Sequence, residues 1–394
     1  MPTTSIIADK LDQIDILFPP ERIALSKERW TRLWHGYPPL DRLPFVFSPY
    51  SLSYYDAGFT PEERLSQTLD EILVRGQFQD DFIPAFFPGC KQSTIPNMFG
   101  AEDLQVGTDW TCRPVIHGPD DIDRLPNPSM GPGTVAREWL TMQEYVRDAT
   151  RGRLPIHVVD MQGPADVCGQ LWGYDDFLAS AYETPERYDD LMNRATDAFI
   201  LFWKAQRDLL GDLFVGTHLF GWDWVPPDAG ASLSADSLVM ISPAFYQRCF
   251  RPCLERIGRE FGGLSVHSCG DFSAVVSELC ATPTVRAVNA GEMSLSALCD
   301  AGVDGSTIVI AWADAGTVES TFHSVSSLGL RADLTISGLW PLTDGQLKPV
   351  AEWTSADRED MRRMEDGVLE AAHDAAREAS PAPGVATMVR FPLV

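Results

Sequence analysis

An α/β fold, a single (β/α)8 TIM-type barrel, is the architecture this sequence predicts, and three observations predict it. Short apolar runs rich in β-branched and aromatic residues recur between longer segments of helical periodicity. About eight such runs are present, the number a closed parallel barrel needs. No internal repeat, low-complexity tract or long Gly/Ser linker divides the 394 residues. Residues 1–394 are therefore read as one domain, with 1–40 as an N-terminal helical extension. An open doubly wound sheet is the competing architecture, but no G-x-G-x-x-G loop follows any strand. G-x-x-x-x-G-K-[ST] and G-x-S-x-G are also absent. Dinucleotide, P-loop and serine-hydrolase chemistry have no support.

In chain order, the expected strands are Leu43–Phe47, Phe82–Phe87, Leu154–Val159, Leu213–Phe220, Leu264–His267, Val285–Val288, Thr307–Trp312 and Ala332–Ile336. The helix after the third strand region is written in "TPERYDDLMNRATDAFILFWKAQRDLL". Thr184 stands at the N-cap and Pro185 at the first helical position, and Leu191, Ala195, Phe199 and Phe202 follow helical spacing. "SPAFYQRCFRPCLERIGREF" opens the same way with Ser242 and Pro243. Its Phe245, Cys249, Cys253, Ile257 and Phe261 form an i, i+4 stripe, which makes the two cysteines core thiols. Pro252 has no N–H for the carbonyl four residues back, so a kink is expected near Arg248.

Acidic residues outnumber basic ones 56 to 31, for a formal charge of −25. That field repels nucleic acid and anionic membranes at long range, so neither is an expected partner. The eight cysteines are scattered and do not form a disulfide framework in so long a chain. They read as reduced thiols of a cytoplasmic protein. No run of about 18 uncharged apolar residues is present. The opening "MPTTSIIADKLDQIDILF" has no basic n-region followed by an apolar stretch.

Function in a (β/α)8 barrel collects at the carboxyl ends of the strands. Those ends carry Asp160 and Gln162, then His218, Trp222, Asp223 and Trp224. His267, Cys269 and Asp271 follow the fifth strand, Glu292 the sixth and Asp314 the seventh. H-x-C alone is weak, since roughly one chain in seven of this composition would hold one by chance. Its position gives it weight. Residues i and i+2 leaving a strand share a face, and imidazole nitrogen with thiolate sulfur suits Zn²⁺. Structural readings stay open beside these. Asp160 could cap a helix or join a salt bridge, Asp223 could belong to a rim cluster between its tryptophans, and His157 sits within a strand as a core histidine. Asp236 reads as a brace for the loop after the fourth strand.

Four segments carry a resemblance. "DRLP" at Asp41–Pro44, "DMQGPADVCGQLWGYDDFLASAYETPERYDDLM" at Asp160–Met192, "SLSADSLVMISPAFYQRCFRPCLERI" at Ser232–Ile257 and "VHSCGD" at Val266–Asp271 resemble the uroporphyrinogen decarboxylase-like superfamily. The likeness runs from about residue 40 to 300, and "ISP…F…P" followed by "HSCG" is its most specific part. The resemblance implies a TIM barrel. It also implies one of three activities: tetrapyrrole decarboxylation, zinc-dependent methyl transfer from a corrinoid protein or, more distantly, cobalamin-independent methionine synthesis.

Two departures bear on the choice. The arginine-rich "MRQAGR" loop of the decarboxylase has no counterpart near Leu43–Phe47. In the methyltransferases the H-x-C residues are zinc ligands, which His267 and Cys269 match, and Glu292 fits the spacing of methionine synthase's glutamate. A final cysteine is due around residues 330–355, where none occurs. Cys299, Asp314 or His323 are the substitutes within reach of that reading.

The resemblance thus implies a zinc-dependent methyltransferase acting on a thiol acceptor, with a corrinoid protein as methyl donor. His267, Cys269 and Glu292 would hold the metal, and Asp160 and Asp223 would act in catalysis. Gln162, His218, Trp222, Trp224 and Asp314 would contact a small-molecule substrate. A cofactor-free, decarboxylase-like lyase and a non-catalytic small-molecule-binding barrel are the alternatives.

Overall fold

The computed structural model describes residues 4–48, 60–107, 109–216, 223–289, 291–314, 316–337, 342–343, 346–348 and 350–379. Eight parallel strands organise them. They are β1 (Phe45–Ser48), β2 (Ile156–His157), β3 (Phe214–Val215), β4 (Ala231–Ser234), β5 (Leu264–His267), β6 (Val285–Asn289), β7 (Ile308–Asp314) and β8 (Arg331–Ser337). Six form one continuous sheet in the order β1-β8-β7-β6-β5-β4. Every pairing in it is parallel, as helical crossovers require. The circuit continues through shorter contacts. The Asp81 N–H donates to the Phe45 carbonyl at 2.9 Å. Phe86 bridges Ile156, Cys90 bridges Asp160, and Gln162 bridges Ser234, while β2 pairs with β3. This is the α/β barrel expected from the alternation of strands and helices.

Two elements differ from the expected ones. The run 82–87 forms no regular strand and pairs only at Phe86. Pro84 and Pro88 lack the N–H a ladder needs, so the pairing is interrupted on both sides. Conversely, Ala231–Ser234 is a fully buried strand that its small, polar "ASLS" concealed. Small residues suit it because backbones crowd there. A Cβ on Gly230, at φ +92°, would stand 2.0 Å from the Gly263 carbonyl oxygen. The expected strand over 213–220 is described only at Phe214–Val215, its remainder from residue 217 lying outside the described residues.

The helices follow their sequence signals. Pro185–Leu210 buries Leu191, Ala195, Phe199 and Phe202, although the Thr184 side chain makes no capping bond. Ser242 does cap, its oxygen accepting the Phe245 N–H at 3.3 Å. Ahead of Pro252 the helix widens into one π-type turn over Tyr246–Phe250 and resumes as Arg251–Phe261. The missing N–H of Pro252 accounts for that change. Cys249 and Cys253 are buried core thiols, and all eight cysteines are unbridged. Among the described residues no helix is long and apolar enough to cross a membrane.

The extension packs across the amino-terminal ends of the strands through Pro20–Trp34. Arg29 pairs with Asp41 and Asp81, and Arg42 also pairs with Asp81. Trp30 Nε1 donates to the Asp81 carbonyl at 3.0 Å and Trp34 Nε1 to Asp333 at 3.3 Å. All these groups are buried. Asp80, in the same cluster, accepts the Phe47 N–H at 2.9 Å and lies 3.6 Å from Arg22. Burial pushes its carboxyl up to about 7 against the pull of Arg75 and Arg22.

A pH dependence follows. Unfolded, Asp80 titrates near pH ~4, so between about pH 4 and 7 the native state holds the extra proton. The stability tied to that proton is full below pH ~4 and is lost as pH rises through ~7. Between about pH 5 and 8, the urea midpoint of Asp80→Asn is expected to fall less than that of wild type.

Candidate metal centre at the carboxyl ends of the strands

His267 ends β5, and the chain turns sharply after it. The Ala235 N–H donates to the His267 carbonyl at 2.7 Å, tying the exit of β4 to that of β5. Gly270 takes φ +73° to complete the turn. From the other side, the loop after β6 approaches so closely that a Cβ on Gly291, at φ +55°, would stand 2.3 Å from the Ser268 carbonyl oxygen. Glycine there lets two rim loops touch beside the histidine.

The imidazole is oriented by Asn289, the last residue of β6. Asn289 Oδ1 accepts the Gly291 N–H at 2.8 Å, which fixes the amide's direction, and lies 3.0 Å from His267 Nδ1. Nδ1 must therefore carry the proton, which makes Nε2 the acceptor nitrogen of the ring. Nε2 points at Cys269 Sγ, 3.2 Å away, and at Asp236 Oδ1, 3.6 Å away. Asp236 Oδ1 also accepts the Cys269 N–H at 2.8 Å. The ligand atoms of Asp236, His267 and Cys269 all lie within 4.8 Å of one another, the group of this kind found among the described residues.

One nitrogen, one sulfur and one carboxylate oxygen are a donor set that zinc accepts. Bonds of about 2.0–2.3 Å in a tetrahedron separate ligands by about 3.5 Å, so the observed spacing fits. Only the histidine already has the protonation state that this use needs; the cysteine would have to give up its proton on binding. Burial lowers the His267 pKa against the opposing Asp236 and Asn289, which keeps the ring neutral. Cys269 reaches the surface, yet partial desolvation and then the charges of Asp236, Glu292 and Asp160 push its thiol up to about 12. Two buried acids stand close by. Burial, opposed by a bond from Cys90 and reinforced by Asp236, raises Asp160 to about 7. Asp166 is raised to about 8, again by burial first and Asp236 second.

The structure brings some of the expected residues together and separates others. Asp160 and Gln162 are buried beside β4, through Cys90 and Ser234. Glu292 is outside the three-residue group, on the exposed turn after β6, although its charge reaches Cys269. Asn289 contacts the histidine, and the Gly291 turn packs against the neighbouring Ser268 carbonyl. Asp314 ends β7 at the rim, where its Oδ1 accepts the Gly316 and Thr317 N–H groups of its own turn. Asp271 is exposed and caps Ser273.

Asp223 and Trp224 lie toward the opposite end of the barrel. Asp223 pairs with Arg75 at 2.9 Å, at the C-terminus of the Pro61–Arg75 helix, and Lys27 of the extension stands 5.7 Å over the Trp224 ring. The chain has doubled back before entering β4. His218 and Trp222 fall outside the described residues. His157 is buried within β2, and neither Cys299 nor His323 joins the group. Sequence reasoning missed Asn289 and Asp166. Asn289 carried a signal, a polar residue closing an apolar strand.

Among solved structures, the chain is similar to a methyltransferase from Methanosarcina mazei, with a TM-score of 0.58 and 13% identity over 87% of this chain and 98% of that one. The likeness is one of fold. A B12-independent methionine synthase from Shewanella sp. W3-18-1, in complex with selenomethionine, aligns with a TM-score of 0.43 and 10% identity over 86% and 98% of the two chains. No protein-family model matches the sequence, and no curated protein matches it.

Proposed function

We propose that this protein is a zinc-dependent methyltransferase that moves a methyl group from a corrinoid-type donor to a thiol acceptor. The observation that carries this reading is the N, S, O donor set of His267, Cys269 and Asp236 at the carboxyl ends of β4 and β5. Its fold-level likeness to a methyltransferase supports the reading. When bound, zinc would lower the pKa of a coordinated thiol and make it a nucleophilic thiolate at neutral pH.

The chain's own residues prepare that chemistry. Asn289 holds the His267 tautomer whose acceptor nitrogen, Nε2, faces Cys269 and Asp236. Asp236 sets the Cys269 backbone as well as offering an oxygen. Three protein ligands would leave a fourth position for the acceptor's sulfur once zinc is bound. Asp160, buried within electrostatic reach of Cys269, orients the acceptor from the β2 side. A separate corrinoid protein would bring the methyl group to this rim.

The test incubates one zinc-loaded preparation with methylcobalamin and a panel of small thiols, and in parallel with uroporphyrinogen. Thioether formation and carbon dioxide release are followed together. Thioether is expected from wild type, with at least a ~100-fold loss in His267→Ala, since a ligand is removed. Carbon dioxide without thioether would instead favour the decarboxylase-like lyase.

A further inference from the structure

We propose that Asp166 is a positioning residue for the metal centre, fixing the Asp236–Ser237 segment so that the Asp236 carboxylate faces His267 and Cys269. The inference rests on the metal reading above and names the group outside the ligand set on which it depends.

Asp166 lies in the first turn of the Pro164–Trp172 helix and is fully buried. An acid in a first turn commonly serves its own helix's N–H groups or dipole. This one reaches across to another element. Its Oδ1 accepts the Ser237 N–H at 2.9 Å, one residue past the proposed ligand. The same helix start holds the chain just before that ligand. The Gly163 N–H donates to the Ser234 carbonyl at 2.6 Å, and Gln162 bridges Ser234. Asp236 is therefore pinned on both sides by one rigid helix start. It then passes that constraint on, since its Oδ1 accepts the Cys269 N–H.

Two glycines make the arrangement possible. A Cβ on Gly163 would stand 2.9 Å from the Ser234 carbonyl oxygen, so the close approach requires glycine. A Cβ on Gly169 would stand 2.4 Å from the ring of Tyr174. The absent side chain seats that ring over the helix, and the Tyr174 hydroxyl donates to Asp166 Oδ1 at 3.3 Å. Asp166 is thus oriented from one side and orients Asp236 from the other, without itself touching the proposed metal position.

The test measures zinc affinity of the full-length protein by competition with a chelating dye, for wild type, Asp166→Ala, Asp166→Asn and Tyr174→Phe. Urea unfolding of each metal-free form is measured alongside. Asp166→Ala is expected to weaken zinc binding by about 10–100-fold, the usual effect of losing an outer partner of a ligand. Asp166→Asn keeps an acceptor for the Ser237 N–H and is expected to stay within about threefold of wild type. Tyr174→Phe, which leaves Asp166 in place, should show a loss between these and covers the case in which Asp166→Ala does not fold. The proposal is overturned if Asp166→Ala binds zinc as wild type does. It is equally overturned if affinity in all variants simply tracks metal-free stability, with no rescue by asparagine. A wild type that binds no zinc would instead overturn the metal reading, a result distinguishable from either.

Discussion

Asp81→Ala is expected to destabilise the protein by about 3–5 kcal/mol, because it removes one partner from a buried ion cluster and leaves the other charges in place. Asp81 is fully buried at the amino-terminal mouth of the barrel. Its Oδ1 accepts from Arg29 at 2.9 Å, and its Oδ2 accepts from Arg42 and from the Phe45 N–H. Removing the carboxylate takes the bonded anion from Arg42, whose guanidinium lies over the Phe45 ring at 4.6 Å and keeps the Leu43 and Gln79 carbonyls as acceptors. Water cannot readily replace the lost anion at a buried site, so the cost is that of an uncompensated charge. Domains of ordinary stability hold about 5–15 kcal/mol in all, so the loss should be visible as a large fall in urea midpoint. Asp81→Asn keeps an acceptor and should cost less. A midpoint for Asp81→Ala within error of wild type would show that the cluster does not hold the extension to the barrel.

That cluster also shows what the sequence does not disclose. Arg22, Arg29, Asp80 and Asp81 look like ordinary solvated charges in a chain with 56 acids, and only the fold reveals that they face each other across the mouth. Apolar elements were far more legible. Leu264–His267 is found with the boundaries its apolar run suggests, and β6, β7 and β8 agree within two residues. β4 escaped because "ASLS" carries little hydrophobic signal, although crowding by Gly230 and Gly263 demands small residues. The sequence places Asp223 at the rim, because nothing in it shows that the chain returns toward the amino-terminal side before β4. The third member of the metal group was obscured similarly. Asp236 stands 31 residues before His267 and becomes its neighbour only through the β4–β5 pairing. Asp166 was hidden inside a family-like stretch whose other residues look helical.

The second large effect lies at that group. Asp236→Ala should lower zinc affinity by more than about 100-fold, beyond the loss usual for a residue that only supports a ligand. Two contributions act together. The anionic oxygen is lost from a set with one nitrogen and one sulfur, and the Cys269 N–H loses its acceptor, freeing the turn that carries the thiolate. Glu292→Gln removes a nearby charge without removing a member of the group, and should cost less than about tenfold. The ordering of the two substitutions matters more than either magnitude, because a ligand set containing Glu292 in place of Asp236 predicts the reverse.

The most direct measurement is the electronic spectrum of the protein loaded with cobalt(II) in place of zinc. Cobalt bound through Cys269 gives an intense thiolate-to-metal charge-transfer band and tetrahedral d–d bands at a stoichiometry of about one per chain. Wild type is expected to show both. Cys269→Ser should lose the charge-transfer band, and Asp236→Ala should require far more cobalt to reach saturation. A wild-type protein that folds normally yet shows no thiolate band, or a Cys269→Ser variant with an unchanged spectrum, would contradict the assignment of His267, Cys269 and Asp236 as a metal centre.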